Sequence, residues 1–331
     1  MSPLKSKKGF WEKLPRPIMA LAPMADVTDA AFRLLITRHG KPDVFFTEFV
    51  AVDGLCSQGR ENLLKDLQYH DTERPIVAQF FGDKPEHFKE SAKLAVELGF
   101  DGIDINMGCP VKVVCKTGSG ASLINEPELA KEIVQATIEG AGGLPVSVKT
   151  RIGYSRITIE EWTEHLLAAN PSAIIFHLRT RKEMSKVPAH WEVMHIPVEI
   201  AKGSGVLILG NGDVRSRQHA EQLAAESGID GVLMGRAIYG NPWLFNRDRQ
   251  PEDITLNEKF EAMIEHAHLF VETFKGERSF IAMRKHLMAY ASGFPGAKEF
   301  RMSLENIDSP EDVEQAIENF RKSHGARLKT A

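Results

Sequence analysis

The chain predicts an α/β fold: a (β/α)8 TIM barrel followed by a small C-terminal helical domain. Three observations carry this. Eight short apolar runs alternate with helix-period segments between Ile18 and Arg249. Seven of the eight runs end in glycine or polar residues and the first in Ala22-Pro23, as barrel strands do where they meet the mouth. Beyond Arg249 the strand signal stops and only helical periodicity continues.

The runs are Ile18 to Leu21, Val44 to Phe46, Ile76 to Ala78, Gly102 to Ile105, Val146 to Val148, Ala173 to Phe176, Val206 to Leu209 and Gly231 to Met234. After the first, Asp26 or Thr28 is positioned to cap a helix with Phe32, Leu35 and Ile36 on one face. After the third, Phe88, Ala92 and Ala95 recur at helical spacing. Pro127 opens the helix after the fourth, where its missing N–H costs little. A doubly wound sheet would need a glycine-rich phosphate loop after its first strand, and Ala22-Pro23-Met24-Ala25 is not one.

In the C-terminal part, Leu256 to Phe274 places Phe260, Met263, Ile264, Ala267, Val271 and Phe274 on one face, continued by Phe280, Met283 and Leu287. Ser309 starts a last helix with Val313, Ala316, Ile317 and Phe320 inward. The polar stretch Asp248 to Thr255 reads as a joint. The predicted layout is a tail at 1–17, a barrel at 18–249 and a helical domain at 250–331.

Composition narrows the class. With 43% hydrophobic and 26% charged residues, the chain reads as an ordinary globular protein. A formal charge of −4 gives no bulk attraction to nucleic acid, so RNA binding would have to come from local patches. Cys56, Cys109 and Cys115 form neither a disulfide framework nor a paired metal set, so no metal site is expected. The basic start (Lys5, Lys7, Lys8) lacks an apolar core for a signal peptide, and no run is long enough to span a membrane. A cytoplasmic protein without a membrane partner is expected.

The chemistry gathers at the strand ends. In Asp104-Ile105-Asn106-Met107-Gly108-Cys109-Pro110, Gly and Pro break the strand and set a thiol at a turn. Lys149 follows an apolar run and could stabilise an anionic reduced flavin or an enolate. His177 and Gln79 are either core residues or ligands, and Pro23-Met24 offers backbone and an apolar face to a flat ring. Near the close of the barrel, Gly210-Asn211-Gly212-Asp213 and Gly235-Arg236 have the glycines and the cation of a phosphate site. Phosphate, flat ring and lysine together suggest flavin mononucleotide (FMN).

The stretch from Ala22 to Arg33, the Cys109 stretch and Gly118-Ser119-Gly120-Ala121-Ser122-Leu123 resemble the tRNA-dihydrouridine synthases. So do Val148 to Arg151, His177-Leu178-Arg179-Thr180-Arg181, Asn211-Gly212-Asp213 and Met234-Gly235-Arg236-Ala237. The resemblance implies an FMN barrel with a tRNA-binding helical domain, reduced by NADPH and monomeric. It implies that Pro23, Met24 and Ala25 line the flavin, that Gln79, Lys149 and His177 meet its ring, and that Asn211, Gly212, Asp213, Gly235 and Arg236 hold its phosphate end. Cys109 matches the catalytic cysteine, which would protonate C5 of a flipped uridine while hydride reaches C6. Asn106, Lys112 and Arg179 would face the base or the RNA. Arg278, Arg284, Lys285 and Arg301, flanking Tyr290 and Phe300, would contact tRNA. Leu178 stands where the family often has Gly, and Val111-Lys112-Val113-Val114-Cys115 departs from relatives that often carry a second Lys and an Asn.

Overall fold

The computed structural model describes residues 8–324. The chain divides into two compact units, one of residues up to Ala25 with Pro42–Arg236, the other of Asp26–Lys41 with the chain from Ala237 onward.

The first unit is the barrel. Its strands are β1 (Ile18–Leu21), β2 (Phe45–Ala51), β3 (Ile76–Phe81), β4 (Gly102–Met107), β5 (Val146–Arg151), β6 (Ala173–His177), β7 (Leu207–Asn211) and β8 (Gly231–Met234). They pair in parallel in the order β1-β8-β7-β6-β5-β4-β3-β2. The ring closes where the Leu21 N–H donates to Val44 O at 3.1 Å and the Asp43 N–H to Met19 O at 2.8 Å. Several strands outrun their apolar runs. Thr47-Glu48-Phe49 continues β2 through a register shift, and Gln79, Asn106 and Lys149 lie inside strands. Polarity ends an apolar run but not a hydrogen-bonded ladder, and residues that face the mouth need not be apolar.

The interior is filled by small and branched side chains, among them Ile18, Ala20, Val44, Val77, Ile175 and Leu209, and Trp11 joins them at 1% exposure. Trp11 sits on a 3-10 turn, Gly9–Lys13, and a Cβ at Gly102, the first residue of β4, would meet Phe10 at 3.0 Å. The segment expected as a tail is therefore, from Gly9 on, part of the barrel floor. Lys5 and Lys7 lie outside the described residues.

In the second unit, Asp29, rather than Asp26 or Thr28, caps the helix Ala30–Gly40 by accepting from the Phe32 N–H at 2.9 Å. That helix packs on Leu256–Phe274, with Phe32, Leu35 and Ile36 fully buried. Gly40 is required by close approach: a Cβ there would stand 2.7 Å from Asn246 N. The unit thus begins at Ala237, not at residue 250, and takes the first helix after β1 with it. Thr255 and Glu258 form a reciprocal cap at the start of Leu256–Phe274. Phe260, Phe294, Phe300 and Phe320 pack at centroid distances of 5.0–6.1 Å. Full burial of such a ring stabilises by ~1.5–3 kcal/mol.

Beside them, Phe32 stacks on His266 at 4.7 Å, and His266 meets His286 edge-on at the same spacing. Burial pushes the His286 imidazole down to about 3 and holds His266 well below its ordinary value. Both are neutral in the fold, whereas the unfolded chain takes up protons below ~6.5. Stability is therefore fully present above pH ~6.5 and falls as the pH drops from there, by up to about 1.4 kcal/mol per pH unit for each histidine. Neither ring nitrogen of His286 has a hydrogen-bond partner. His286→Leu should therefore leave stability at pH 7.5 equal or higher, and should flatten its decline towards pH 5 in urea titrations read by circular dichroism. An unchanged slope would show that His286 does not titrate on unfolding.

Candidate active site at the barrel mouth

The parallel register sets neighbouring strands so that Gln79 lies beside Asp104, Asn106 beside Lys149, Arg151 beside His177 and His177 beside Asn211. Residues distant in sequence therefore meet at one end of the barrel.

Cys109 follows β4 in a turn held from three sides. Asn106 Oδ1 accepts from the Gly108 N–H at 3.0 Å and the Cys109 N–H at 2.9 Å. Arg151 Nε donates to Gly108 O at 2.8 Å, while its Nη1 donates to Thr180 O and Met184 O. The Ala121 N–H donates to Cys109 O at 3.0 Å, and Gly120 has to be glycine: its φ is +62° and a Cβ would stand 2.9 Å from that same oxygen. Cys115 also donates its thiol to Cys109 O, at 3.5 Å. The thiol of Cys109, on a residue only 9% exposed, is pushed up by burial, partly offset by a backbone N–H and by Arg151 and Lys149. It is a protonated thiol at neutral pH.

Around it the mouth is cationic. Lys149 reaches Asn211 Oδ1 at 3.4 Å, and burial and then Arg151 push its ammonium down to about 8. Burial and then Arg179 bring the Arg151 guanidinium down to about 10. His177 is held well below its ordinary range by burial and by Arg151, Lys149, Arg179 and Arg236, so it is neutral. One buried carboxylate lies beneath: Asp104, pushed up to about 6 by burial against the opposing pull of Ser147, Gln79 and Lys149.

At the far side, Asp213 binds both Arg179 and Arg236, the latter at 2.6 Å, and accepts from the Ala189 N–H at 2.9 Å. Burial alone would raise its carboxyl, but Arg179 and these other partners hold it below its ordinary value. Its side chain is spent on two arginines, so it positions cations and does not itself face an anion. Gly212 adopts φ +137°, and Met24 lies beside Gly235, with its sulfur 3.5 Å from a Cβ built there. Pro23 and Met24 are half-buried, and Ala25 is exposed.

The structure thus brings together Met24, Gln79, Asn106, Cys109, Lys149, His177, Asn211, Gly212, Asp213, Gly235 and Arg236. Several of the expected contact residues have partners within the fold. Arg179, expected at the RNA, is 2% exposed and donates to Asp213 and to Val187 O. Asn106 is committed to Gln79 and the cysteine turn. Leu178 is fully buried. In the second unit, Arg278 pairs with Asp29 and lies over the Phe274 ring, Arg301 donates to Ala291 O at 2.6 Å, and Arg284 reaches Asp308 at 3.4 Å. Lys112 is exposed between the exposed Val111 and Val113. Sequence reasoning passed over Arg151 and Asp104 as site residues. Their signal was a charged residue in an otherwise buried strand, which marks either a site or its support.

The donor set fits an anionic group. His177 Nδ1, Arg179 Nη1 and Arg181 Nε are buried without a partner, at the end of β6 and on the segment that follows it. Buried donors of this kind cost stability unless something pairs them. Among the described residues, no group of His, Cys, Asp and Glu side chains could hold a metal ion, and no helix is long and apolar enough to cross a membrane.

This is a (β/α)8 barrel with a polar site at the carboxyl ends of its strands. The structure of histamine dehydrogenase from Rhizobium sp. 4-9 shares the fold, with a TM-score of 0.51 at 12% identity over 80% of this chain; the match covers 51% of that chain, so this chain spans about half its length. The profile of the family "Dihydrouridine synthase (Dus)" matches residues 20–324. A "Probable tRNA-dihydrouridine synthase" of Staphylococcus aureus (strain MRSA252) is 42% identical over 95% of this chain and 96% of the relative. A "Probable tRNA-dihydrouridine synthase 2" of Bacillus subtilis (strain 168) is 41% identical over 96% and 98%. The chain belongs to the dihydrouridine synthase family.

The thiol provides a direct check. Alkylation of Cys109 by iodoacetamide, followed peptide by peptide in a mass spectrometer, is expected to rise with a midpoint above the ~8.5 of a free cysteine. A midpoint below about 7 would identify a thiolate at neutral pH instead of a proton donor.

Proposed function

We propose that this protein is a tRNA-dihydrouridine synthase that reduces the C5–C6 double bond of uridine in tRNA, with FMN as its cofactor, NADPH as reductant and Cys109 as the proton donor to C5. The observation that supports it best is a protonated thiol fixed by its backbone at the same end of the barrel as Lys149 and His177. When bound, FMN supplies the hydride that uracil C6 receives, replenished by NADPH.

The chain's own residues would divide the work. Lys149, mostly charged at neutral pH, would bond the flavin ring, with the neutral His177 as a second donor. Gly212, Gly235 and Arg236 would receive the phosphate end, with Arg236 kept in place by Asp213. As hydride adds to C6, negative charge develops at O4 and C5 of the uracil; Cys109 quenches it by passing its proton to C5. Hydride and proton together saturate one double bond, so the carbon chemistry balances. A uridine has to leave its stack to enter a barrel mouth. Lys112 is the exposed cation nearest the thiol in sequence and would meet backbone phosphate, giving a salt-dependent affinity.

Purified protein is expected to bind FMN with a yellow absorption spectrum and to form dihydrouridine in unmodified tRNA. Cys109→Ala should retain the flavin and its reduction by NADPH but lose about 100-fold or more of dihydrouridine formation, in line with a typical general-acid contribution. Full activity in that variant would remove Cys109 from this role, and a protein that cannot be loaded with FMN would sink the reading as a whole. Lys112→Ala is expected to weaken tRNA binding in filter assays and to lower the salt slope by about 1. Unchanged slope and affinity would place the RNA contact elsewhere.

A further inference from the structure

The buried carboxylate beneath the cysteine turn has no part in the chemistry above, yet it begins a continuous line of hydrogen bonds that ends on the turn. Asp104 Oδ1 accepts from the Ser147 hydroxyl at 2.5 Å, and its Oδ2 from Gln79 Nε2 at 2.7 Å. Gln79 Oε1 accepts from Asn106 Nδ2 at 3.2 Å, and Asn106 Oδ1 accepts from the N–H groups of Gly108 and Cys109. Asp104 and Gln79 are fully buried and Asn106 is 7% exposed.

An amide side chain has two ends of opposite character, a donor and an acceptor. A carboxylate only accepts, so Gln79 has to turn its nitrogen to Asp104 and its oxygen to Asn106. Asn106 then has to turn its nitrogen to Gln79 and its oxygen to the turn. Peptide N–H groups only donate, so they demand the same orientation from the other end. The two demands agree, and each amide has one satisfied orientation. We infer that Asp104 is a positioning residue: through Gln79 and Asn106 it sets the polarity of a relay that holds the Cys109 backbone in place.

The relay makes a demand on sequence that simple burial does not. In Asn106→Asp, the new carboxylate would face Gln79 Oε1, and Gln79 cannot serve carboxylates on both sides with its one nitrogen. In Asp104→Asn/Asn106→Asp the relay runs in reverse. The amide at position 104 donates to Gln79 Oε1, Gln79 Nε2 donates to the carboxylate at position 106, and that carboxylate still receives both N–H groups. Asp104→Asn alone keeps an acceptor oxygen towards Gln79, while Ser147 has Ile103 O, 3.4 Å away, as an alternative acceptor.

The test measures amide hydrogen exchange of Gly108 and Cys109 in the full chain without cofactor or tRNA, alongside the rate of dihydrouridine formation. Asp104→Asn should stay within about threefold of the parent in amide protection. Asn106→Asp should lose at least about tenfold in amide protection and about 100-fold in rate, and the double variant should recover most of each, as coupled sites do. If Asn106→Asp does not fold, a folded double variant is the same rescue. A double variant no better than Asn106→Asp, or an Asn106→Asp whose protection is unchanged, overturns the relay. The kinetic arm rests on Cys109 being the proton donor, whereas the exchange arm does not, so failure of that reading would leave the protection result standing.

Discussion

Closure of the parallel sheet is the constraint on which the rest of the first unit depends. Joining β1 to the chain ahead of β2 leaves no free strand edge, and it fixes the register of all eight strands at once. That register makes Gln79 a neighbour of Asp104 and Asn106 a neighbour of Lys149. A slip of one residue in any pair would reverse which side chains face inward. It would point the site residues of that strand into the packed exterior and leave apolar ones at the mouth.

Electrostatics at the mouth follow from the same geometry. Lys149, Arg151, Arg179 and Arg236 are gathered there, with Asp104 below them and Asp213 at the side. Burial and then their mutual repulsion depress the lysine and keep His177 neutral, and an arriving anion would relieve that repulsion. Asp213 prevents the cost from falling entirely on the fold by holding two of the arginines. The site is preorganised for an anion before one arrives.

Much of this was legible in the sequence. The eight apolar runs named the strands, and the polar residues after them named most of the mouth, because the period of a barrel is local. What was not legible depended on contacts between distant segments. Trp11 looked like part of a basic tail, since nothing in Gly9–Lys13 reveals that a barrel floor awaits a ring. The partners of Arg179 and Arg278 were not legible because a cation's partner cannot be read from its neighbours in sequence; Asp213 and Asp29 pair with them from 34 and 249 positions away (213 − 179 and 278 − 29). The boundary near residue 249 followed a change in periodicity, whereas the units divide by packing, which draws Ala30–Gly40 to Leu256–Phe274.

The split origin of the helical unit has a consequence for how the chain is made. Its first helix leaves the ribosome before the 195 residues from Pro42 to Arg236, and its partner helix only after them. At ~5–20 residues per second, Phe32, Leu35 and Ile36 wait on the order of 10–40 s for the surface that covers them. During that interval the apolar face of that first helix lacks the helix that covers it in the fold, and an isolated helix of 11 residues is marginal in water. The barrel strands must also find one another across this unfinished segment, so neither unit is a simple N-terminal or C-terminal half that synthesis could complete in turn.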